Sequence, residues 1–262
     1  MVEPEHANRA WAQMLSRWAI PDDLVAAAPE SPYFFDPDVF TEAADEALAR
    51  VEDTVSDHVA REALPAHGTI LDVGVGAGAA SLRLAAARVV GVDPSRIMLD
   101  AFAQRAEHLA TEHTTIEGAW PAVASQAPSC DVVVCHHVVY NVADLAGFAS
   151  ALADHALQRV VIELTAIHPM AWLTPYWKAL YGRPQPDRPT ADDAVAVLRE
   201  AGFSVEQQRW HREVQMIGEA GDDRLARIAR RLCLPATRHE ELGHILATTP
   251  PPRAREVVTL WL

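Results

Sequence analysis

Thr69-Ile70-Leu71-Asp72-Val73-Gly74-Val75-Gly76-Ala77-Gly78 decides the fold. A short apolar run gives way to a turn with glycine at every second position, and the Ala-rich stretch Ala79 to Ala87 predicts a helix behind it. Glycines at such a junction permit a tight turn and let a ligand approach the backbone closely. The amino end of the following helix is expected to add free N–H groups and a partial positive charge suited to a ligand carboxylate. A Gly-rich turn also occurs as a mere backbone convenience, so its surroundings must carry the reading.

Downstream, Arg88 to Asp93 reads as a second buried strand, Ile97 to Thr111 as a helix and Thr114 to Glu117 as a third strand. Asp131 to Cys135 is the fourth, Asp144 to Ala156 a helix, and Arg159 to Leu164 the fifth. Phe203 to Trp210 and Arg255 to Trp261 supply a sixth and a seventh. Continuous apolar runs alternating with helices mark crossover connections and a sheet buried on both faces. The expected class is therefore α/β, doubly wound, with a mostly parallel seven-stranded sheet. Thr190, with Asp193 three residues on, predicts a capped helix ending at Gly202. Asp222 to Ala247 reads as two short helices broken at Pro235.

Upstream, Trp11, Met14, Leu15 and Trp18 recur at helical spacing, and Val39 to Leu64 is helical by composition. Between them Ser31-Pro32-Tyr33-Phe34-Phe35-Asp36-Pro37 reads as an extended aromatic connector. Residues 1–66 are expected to form a helical cap that closes an acceptor pocket, and residues 67–262 the main domain. An insert at 166–190, carrying Trp172, Tyr176, Trp177 and Tyr181, adds to the cover. These aromatic side chains serve either an apolar small-molecule pocket or simple helix packing.

Half of the 262 residues are hydrophobic and 22% are charged, as expected of a packed globular chain. The net charge of −14 disfavours nucleic acid and anionic membrane surfaces. Arg224, Arg227, Arg230 and Arg231 form a local basic cluster, more in keeping with a solvated helix face than with a binding patch. Cys130, Cys135 and Cys233 have neither C-x-x-C spacing nor an even count, which points away from a disulfide framework or zinc site and toward a reducing, cytoplasmic setting. The start of the chain does not read as a secretory signal, and no apolar run approaches membrane-spanning length.

Asp93 ends the second strand about 20 residues after the turn, where an acid can accept both hydroxyls of an adenosine ribose. No Gly-Lys-Ser or Gly-Lys-Thr follows the glycines, which excludes a P-loop. Asp72 then separates the two remaining ligands, because a carboxylate before the turn opposes a pyrophosphate but can face an ammonium group. In these residues the chain resembles the class I S-adenosylmethionine-dependent methyltransferases, a Rossmann-like family, over roughly Ile70 to Leu164. The resemblance implies that Asp72 faces the methionine ammonium, that Gly74, Val75, Gly76 and Gly78 shape the turn, and that Asp93 holds the ribose with Pro94 beside the adenine. Ala119 stands where the family often has an adenine-contacting acid. Adenine would then be met there by backbone groups and the Trp120 ring, unless Trp120 only packs in the core.

The resemblance also implies that the loop after the fourth strand, Cys135-His136-His137-Val138-Val139-Tyr140-Asn141, borders the methyl group. His136 would face the cofactor, while His137, Tyr140 and Asn141 reach substrate; alternatively one histidine caps a strand and Tyr140 packs. His168, just beyond the fifth strand, is a second proton-transfer candidate beside His137. A metal site made of His136, His137 and His168 is not expected, because adjacent strand residues point to opposite faces. The expected activity is methyl transfer to a small-molecule acceptor. A nicotinamide-dependent oxidoreductase and a catalytically silent cofactor-binding regulator are the alternatives.

Overall fold

The computed structural model describes residues 6–34, 36–213 and 222–262. Phe35 of the aromatic connector lies outside them. Four helices come first: α1 (His6–Ser16), α2 (Asp22–Ala27), α3 (Pro37–Ala49) and α4 (Val55–Ala63). The α/β body follows as β1 (Thr69–Val73), β2 (Arg88–Asp93), α5 (Arg96–His108), β3 (Glu112–Glu117), β4 (Cys130–His136), α6 (Leu145–Ala153) and β5 (Ala156–Thr165). Then come α7 (Thr174–Tyr181), α8 (Ala191–Glu200), β6 (Glu206–Glu213), α9 (Asp222–Arg231), α10 (His239–Thr248) and β7 (Ala254–Trp261).

The seven strands form one sheet in the order β3-β2-β1-β4-β5-β7-β6. β1 to β5 pair in parallel, and β7 runs antiparallel to both β5 and β6. Alternate side chains divide the buried strands between two apolar layers. Val133, Cys135, Val160, Ile162 and Leu164 join α1, α6 and α8 in one. Ile70, Val89, Val132, Val134 and Val161 join α4 and α5 in the other. Full burial of one such Val, Leu or Ile contributes about 1.5–3 kcal/mol. Helix starts are fixed by side chains: Thr54 and Asp57 form a capping box on α4, Thr190 and Asp193 one on α8, and Asp144 caps α6.

The expected helix over Ala79 to Ala87 is absent. After Gly78 the chain makes one 3-10 turn at Leu82–Leu84, Ala85 takes a left-handed conformation (φ 55°), and β2 begins at Arg88. Alanine is the best helix former, but local preference is worth less than about 1 kcal/mol per residue and tertiary contacts outweigh it here. Leu82 and Leu84 are buried, and Arg83 turns inward with its side chain only 6% exposed. Its guanidinium donates to the carbonyls of Ala47, Arg50 and Glu52 and pairs with Asp53 and Asp57. Arg61 of α4 in turn donates to the carbonyls of Arg83 and Leu84. The Arg83 and Leu84 carbonyls, which a helix would have satisfied internally, are satisfied by Arg61 instead. The helix-terminus contribution expected at the Gly-rich turn is therefore missing.

Residues 6–64 do not gather into a body of their own. α1 lies on the α6/α8 side, where Trp11 is fully buried and its indole donates to the Val142 carbonyl at 2.7 Å. Ile20 and Leu24 pack into a third apolar cluster with Leu173 just before α7, Tyr176 and Trp177 from α7, Ile228 from α9, Leu232 just after it, and Leu242 from α10. α3 and α4 continue onto the opposite face. The third cluster is rooted at the carboxyl edge, since α7 follows the end of β5, and α9 and α10 lie between the end of β6 and the start of β7. Arg230 stacks over Phe34 at 5.3 Å and pairs with Glu30, while Arg231 donates to the Pro32 carbonyl. Two members of the basic cluster thus fasten the aromatic connector to α9.

Arg83→Met removes the partner of the buried Asp57 carboxylate, and breaking a buried pair on one side costs about 3–5 kcal/mol. Urea denaturation should show a loss of that size; a loss below about 1 kcal/mol would mean that water or Arg61 replaces the guanidinium.

Candidate active site

The Gly-rich turn is held from below. The Gly74 and Val75 N–H groups both donate to the Val92 carbonyl, at 2.8 and 3.0 Å. Gly74 has φ +76°, and a Cβ there would lie 2.3 Å from Val138 Cγ2, so only glycine lets the loop after β4 close onto the turn. Gly76 (φ +50°) differs, because a Cβ there would enter open space. One Asp93 oxygen accepts from the Gly76 N–H at 3.0 Å and the other from the Ser95 N–H at 2.8 Å. Asp93 thereby ties the turn to the start of α5 while remaining beside the open ground at Gly76. Pro94 and Ala119 are exposed nearby in sequence. Trp120 turns inward, its ring edge-on to His155 at 4.9 Å within the main core.

Asp72 is fully buried, and its oxygens make no hydrogen bond of normal geometry; the buried Ser81 hydroxyl, equally unbonded, is its polar neighbour. Burial is the chief cause that raises its pKa to about 7, with Asp93 adding to the rise and Ser81 opposing it. An unsatisfied carboxyl of this kind is costly unless a cation or donor completes it.

His136 and His137 do not point apart as expected of strand neighbours. β4 ends at His136, and His137 adopts φ +61°, with its N–H donating to the Glu163 carbonyl at 2.7 Å. Histidine is among the few non-glycine residues that tolerate this region. Both rings therefore converge on the Glu163 side chain of β5: His136 Nδ1 lies 3.9 Å from Oε2 and His137 Nε2 3.0 Å from Oε1. Arg212 Nη2 of β6 is 3.3 Å from Oε1, and the Ser56 hydroxyl of α4 donates to Oε2 at 2.6 Å. Burial opposes the charge on Glu163, but the two histidines and Arg212 outweigh it and hold the pKa well below the ordinary value. Burial lowers the pKa of His136, and Glu163 acts to raise it.

The other proton-transfer candidates are committed elsewhere. The Tyr140 hydroxyl donates to the Thr165 carbonyl at 2.8 Å, its ring lies 5.6 Å from that of Trp11, and burial raises its pKa. This is the packing alternative for Tyr140, and it leaves no free hydroxyl to reach substrate. His168 is stacked on Trp18 at 3.9 Å, its Nδ1 accepts from the Met170 N–H at 3.2 Å, and burial lowers its pKa to about 4. With Nδ1 engaged, the proton sits on Nε2 and no lone pair is left to act as a base. Asn141 is exposed at the end of a 3-10 turn. Glu163, Ser56 and Arg212 were not singled out from sequence, although a Glu inside the apolar run Val160-Val161-Ile162-Glu163-Leu164 was a visible signal.

The geometry defines a doubly wound α/β protein with a ligand turn at the carboxyl ends of β1 and β2. Residues 70–157 match the family model described as a methyltransferase domain. Among solved structures, the YcgJ protein of Bacillus subtilis is 16% identical, with a TM-score of 0.53, covering 79% of this chain and 96% of its own. A SAM-dependent methyltransferase from Thiobacillus denitrificans in complex with S-adenosyl-L-homocysteine is 16% identical, with a TM-score of 0.50 and coverage of 87% and 99%. At these identities the likeness is one of fold. A search of curated proteins gives no match. The family match covers about a third of the chain, and the likeness to solved structures adds the fold: a Rossmann-like, doubly wound sheet around a segment similar to a methyltransferase domain. No helix among the described residues is long and apolar enough to cross a membrane.

Gly74→Ala should lose about 2–5 kcal/mol of stability, the clash with Val138 adding about 1–3 kcal/mol to the backbone cost of its left-handed conformation, and Val138→Ala should recover the clash part. Gly76→Ala should lose only about 1–2 kcal/mol, the backbone cost of its left-handed conformation. Equal losses measured by denaturation would contradict this division of roles.

Proposed function

We propose that the protein transfers a methyl group from S-adenosylmethionine to a small-molecule acceptor. The observation that carries the reading is the unpartnered, buried Asp72 carboxyl behind a Gly-rich turn whose central glycine faces open space. The cofactor, when bound, supplies an electrophilic methyl on a sulfonium. Asp72 would complete the ammonium of its amino-acid moiety, the backbone of Gly74, Val75, Gly76 and Gly78 would line its path, and Asp93 would take the ribose hydroxyls beside Pro94. Ala119 would border the adenine, with the Trp120 ring behind it as packing. His136, buried, would flank the methyl side, and His137 is the remaining proton acceptor.

Such chemistry depends on alignment and exclusion of water, and orientation alone can supply about 7–11 kcal/mol in favourable cases. The helical cluster of α2, α7, α9 and α10 over the carboxyl edge would provide the cover, and its Trp and Tyr side chains favour an apolar acceptor. To the N-terminal cap and the 166–190 insert expected from sequence it adds α9 and α10.

The test is S-adenosylhomocysteine binding as a function of pH. In the free protein Asp72 has a folded pKa raised to about 7 from 3.8. Its contribution to stability is full below the lower value and is lost as pH rises through the higher one. An ammonium ligand needs the ionised form. Affinity should therefore fall about tenfold per pH unit below pH 7 in the native protein, and be weak and flat in Asp72→Asn. Undiminished affinity in Asp72→Asn would remove the basis of the assignment.

A further inference from the structure

β6 and β7 bring two arginines together at the carboxyl edge of the sheet. Arg212 and Arg255 stand directly opposite one another in the antiparallel ladder, and Arg255 lies past the pair of Val257 with Thr165 that ends β5. Opposed residues of such a pair share a face, and like charges there destabilise the sheet. The Arg212 guanidinium is answered: Nη2 lies 3.3 Å from Glu163 Oε1, Nη1 lies 3.4 Å from His137 Nε2, and Cζ sits 5.2 Å over the Trp210 ring. Arg255 is not. No hydrogen bond or ion pair to it occurs among the described residues, and burial is the one cause that lowers its pKa. The Nε–H groups of both arginines are buried and unbonded, although each side chain as a whole is only half-buried.

Acids are not scarce in this chain, where 36 Asp and Glu stand against 22 Lys and Arg. Arg209, on the other face of the same strand, is met by Asp192 at 2.7 Å and by Glu256 at 3.4 Å. Repulsion from Arg212 reaches further, to Arg50, whose pKa is lowered first by burial and then by Arg212 and Arg83. A half-buried cation without a counter-charge is costly, and an anion brought by a ligand offsets that cost.

We propose that Arg212 and Arg255 form an oxyanion subsite, and that the acceptor carries a carboxylate which binds there while its apolar body lies under the helical cover. This rests on the methyltransferase reading and names the acceptor class. The subsite adjoins the Gly-rich turn without belonging to it: Arg212 meets His137, and the next residue, Val138, is the one that closes onto Gly74. The forked donors of a guanidinium match a carboxylate in geometry as well as charge. Arg212 is already shared with Glu163, so the unmatched charge is that of Arg255. A carboxylate balances it, and a phosphate dianion exceeds it.

The probes are benzoate, its neutral match benzamide, and phenyl phosphate, each titrated into the full-length protein with and without S-adenosylhomocysteine and followed by arginine 1H–15Nε signals. Benzoate should shift the Arg212 and Arg255 signals to saturation, and benzamide should not. Arg255→Met should weaken benzoate binding about tenfold or more, with S-adenosylhomocysteine affinity and the urea midpoint undiminished. Arg255→Lys, which keeps the charge and loses the fork, should recover only part of the benzoate affinity. Arginine signals that benzoate leaves in place, equal binding of benzamide, or tighter binding of phenyl phosphate overturns the proposal. Loss of S-adenosylhomocysteine affinity in Arg255→Met overturns it too, because the arginines would then serve the carboxylate of the cofactor. Benzoate bound at Arg255 in a protein that does not bind S-adenosylhomocysteine would instead reject the methyltransferase reading and leave the anion subsite standing.

Discussion

A carboxyl group sealed from water with neither oxygen bonded is an expense that a fold must offset, and Asp72 holds that position at the end of β1. The strand is central, flanked by β2 and β4 in register, so the side chain cannot move out to solvent without opening the sheet. The turn beyond it is equally constrained. Gly74 admits Val138, Gly78 lies against Leu82 and Phe102, and Asp93 braces Gly76 from the neighbouring strand. One acid is left unsatisfied inside a rigid frame and another is half-satisfied at its rim, which is how a site looks when its ligand brings the missing donors.

The frame is secured by an unusual device. In place of a helix between β1 and β2, the chain is pinned by Arg83 and Arg61 to carbonyls and acids in and between α3 and α4. The N-terminal segment is thus part of the wall of the turn. It also reaches the opposite face, where Trp11 is as deeply buried as any strand residue, and crosses the carboxyl edge between the two. Removal of residues 6–64 would therefore strip both faces as well as the cover.

The strands were legible in the sequence because a parallel sheet buried on both faces needs unbroken apolar runs, and β2 was read to the residue. The polar edge strand β6 gave a weaker signal. It begins three residues later than its composition implied, because Val205 goes into the core and pairing with Trp261 of β7 sets the register. Ala79 to Ala87 misled because local helical preference is small beside the burial of Leu82 and Leu84 and the arginine network. Around the site, Asp72, Asp93 and the glycines were readable, since their spacing is local. The meeting of His136, His137, Glu163 and Arg212 was not. It depends on a left-handed His137 and on three strands brought together by an antiparallel return, neither of which leaves a periodic trace.

What the account requires above all is that the turn accept an ammonium-bearing nucleoside and not a dinucleotide pyrophosphate, because the acid behind it is buried and has no counter-charge. Calorimetric titration of the native protein with S-adenosylhomocysteine and with NAD at pH 8 compares the two directly. The account predicts a dissociation constant in the micromolar range for S-adenosylhomocysteine, corresponding to about 8 kcal/mol, and no comparable heat with NAD. NAD binding as tight as or tighter than S-adenosylhomocysteine would contradict it.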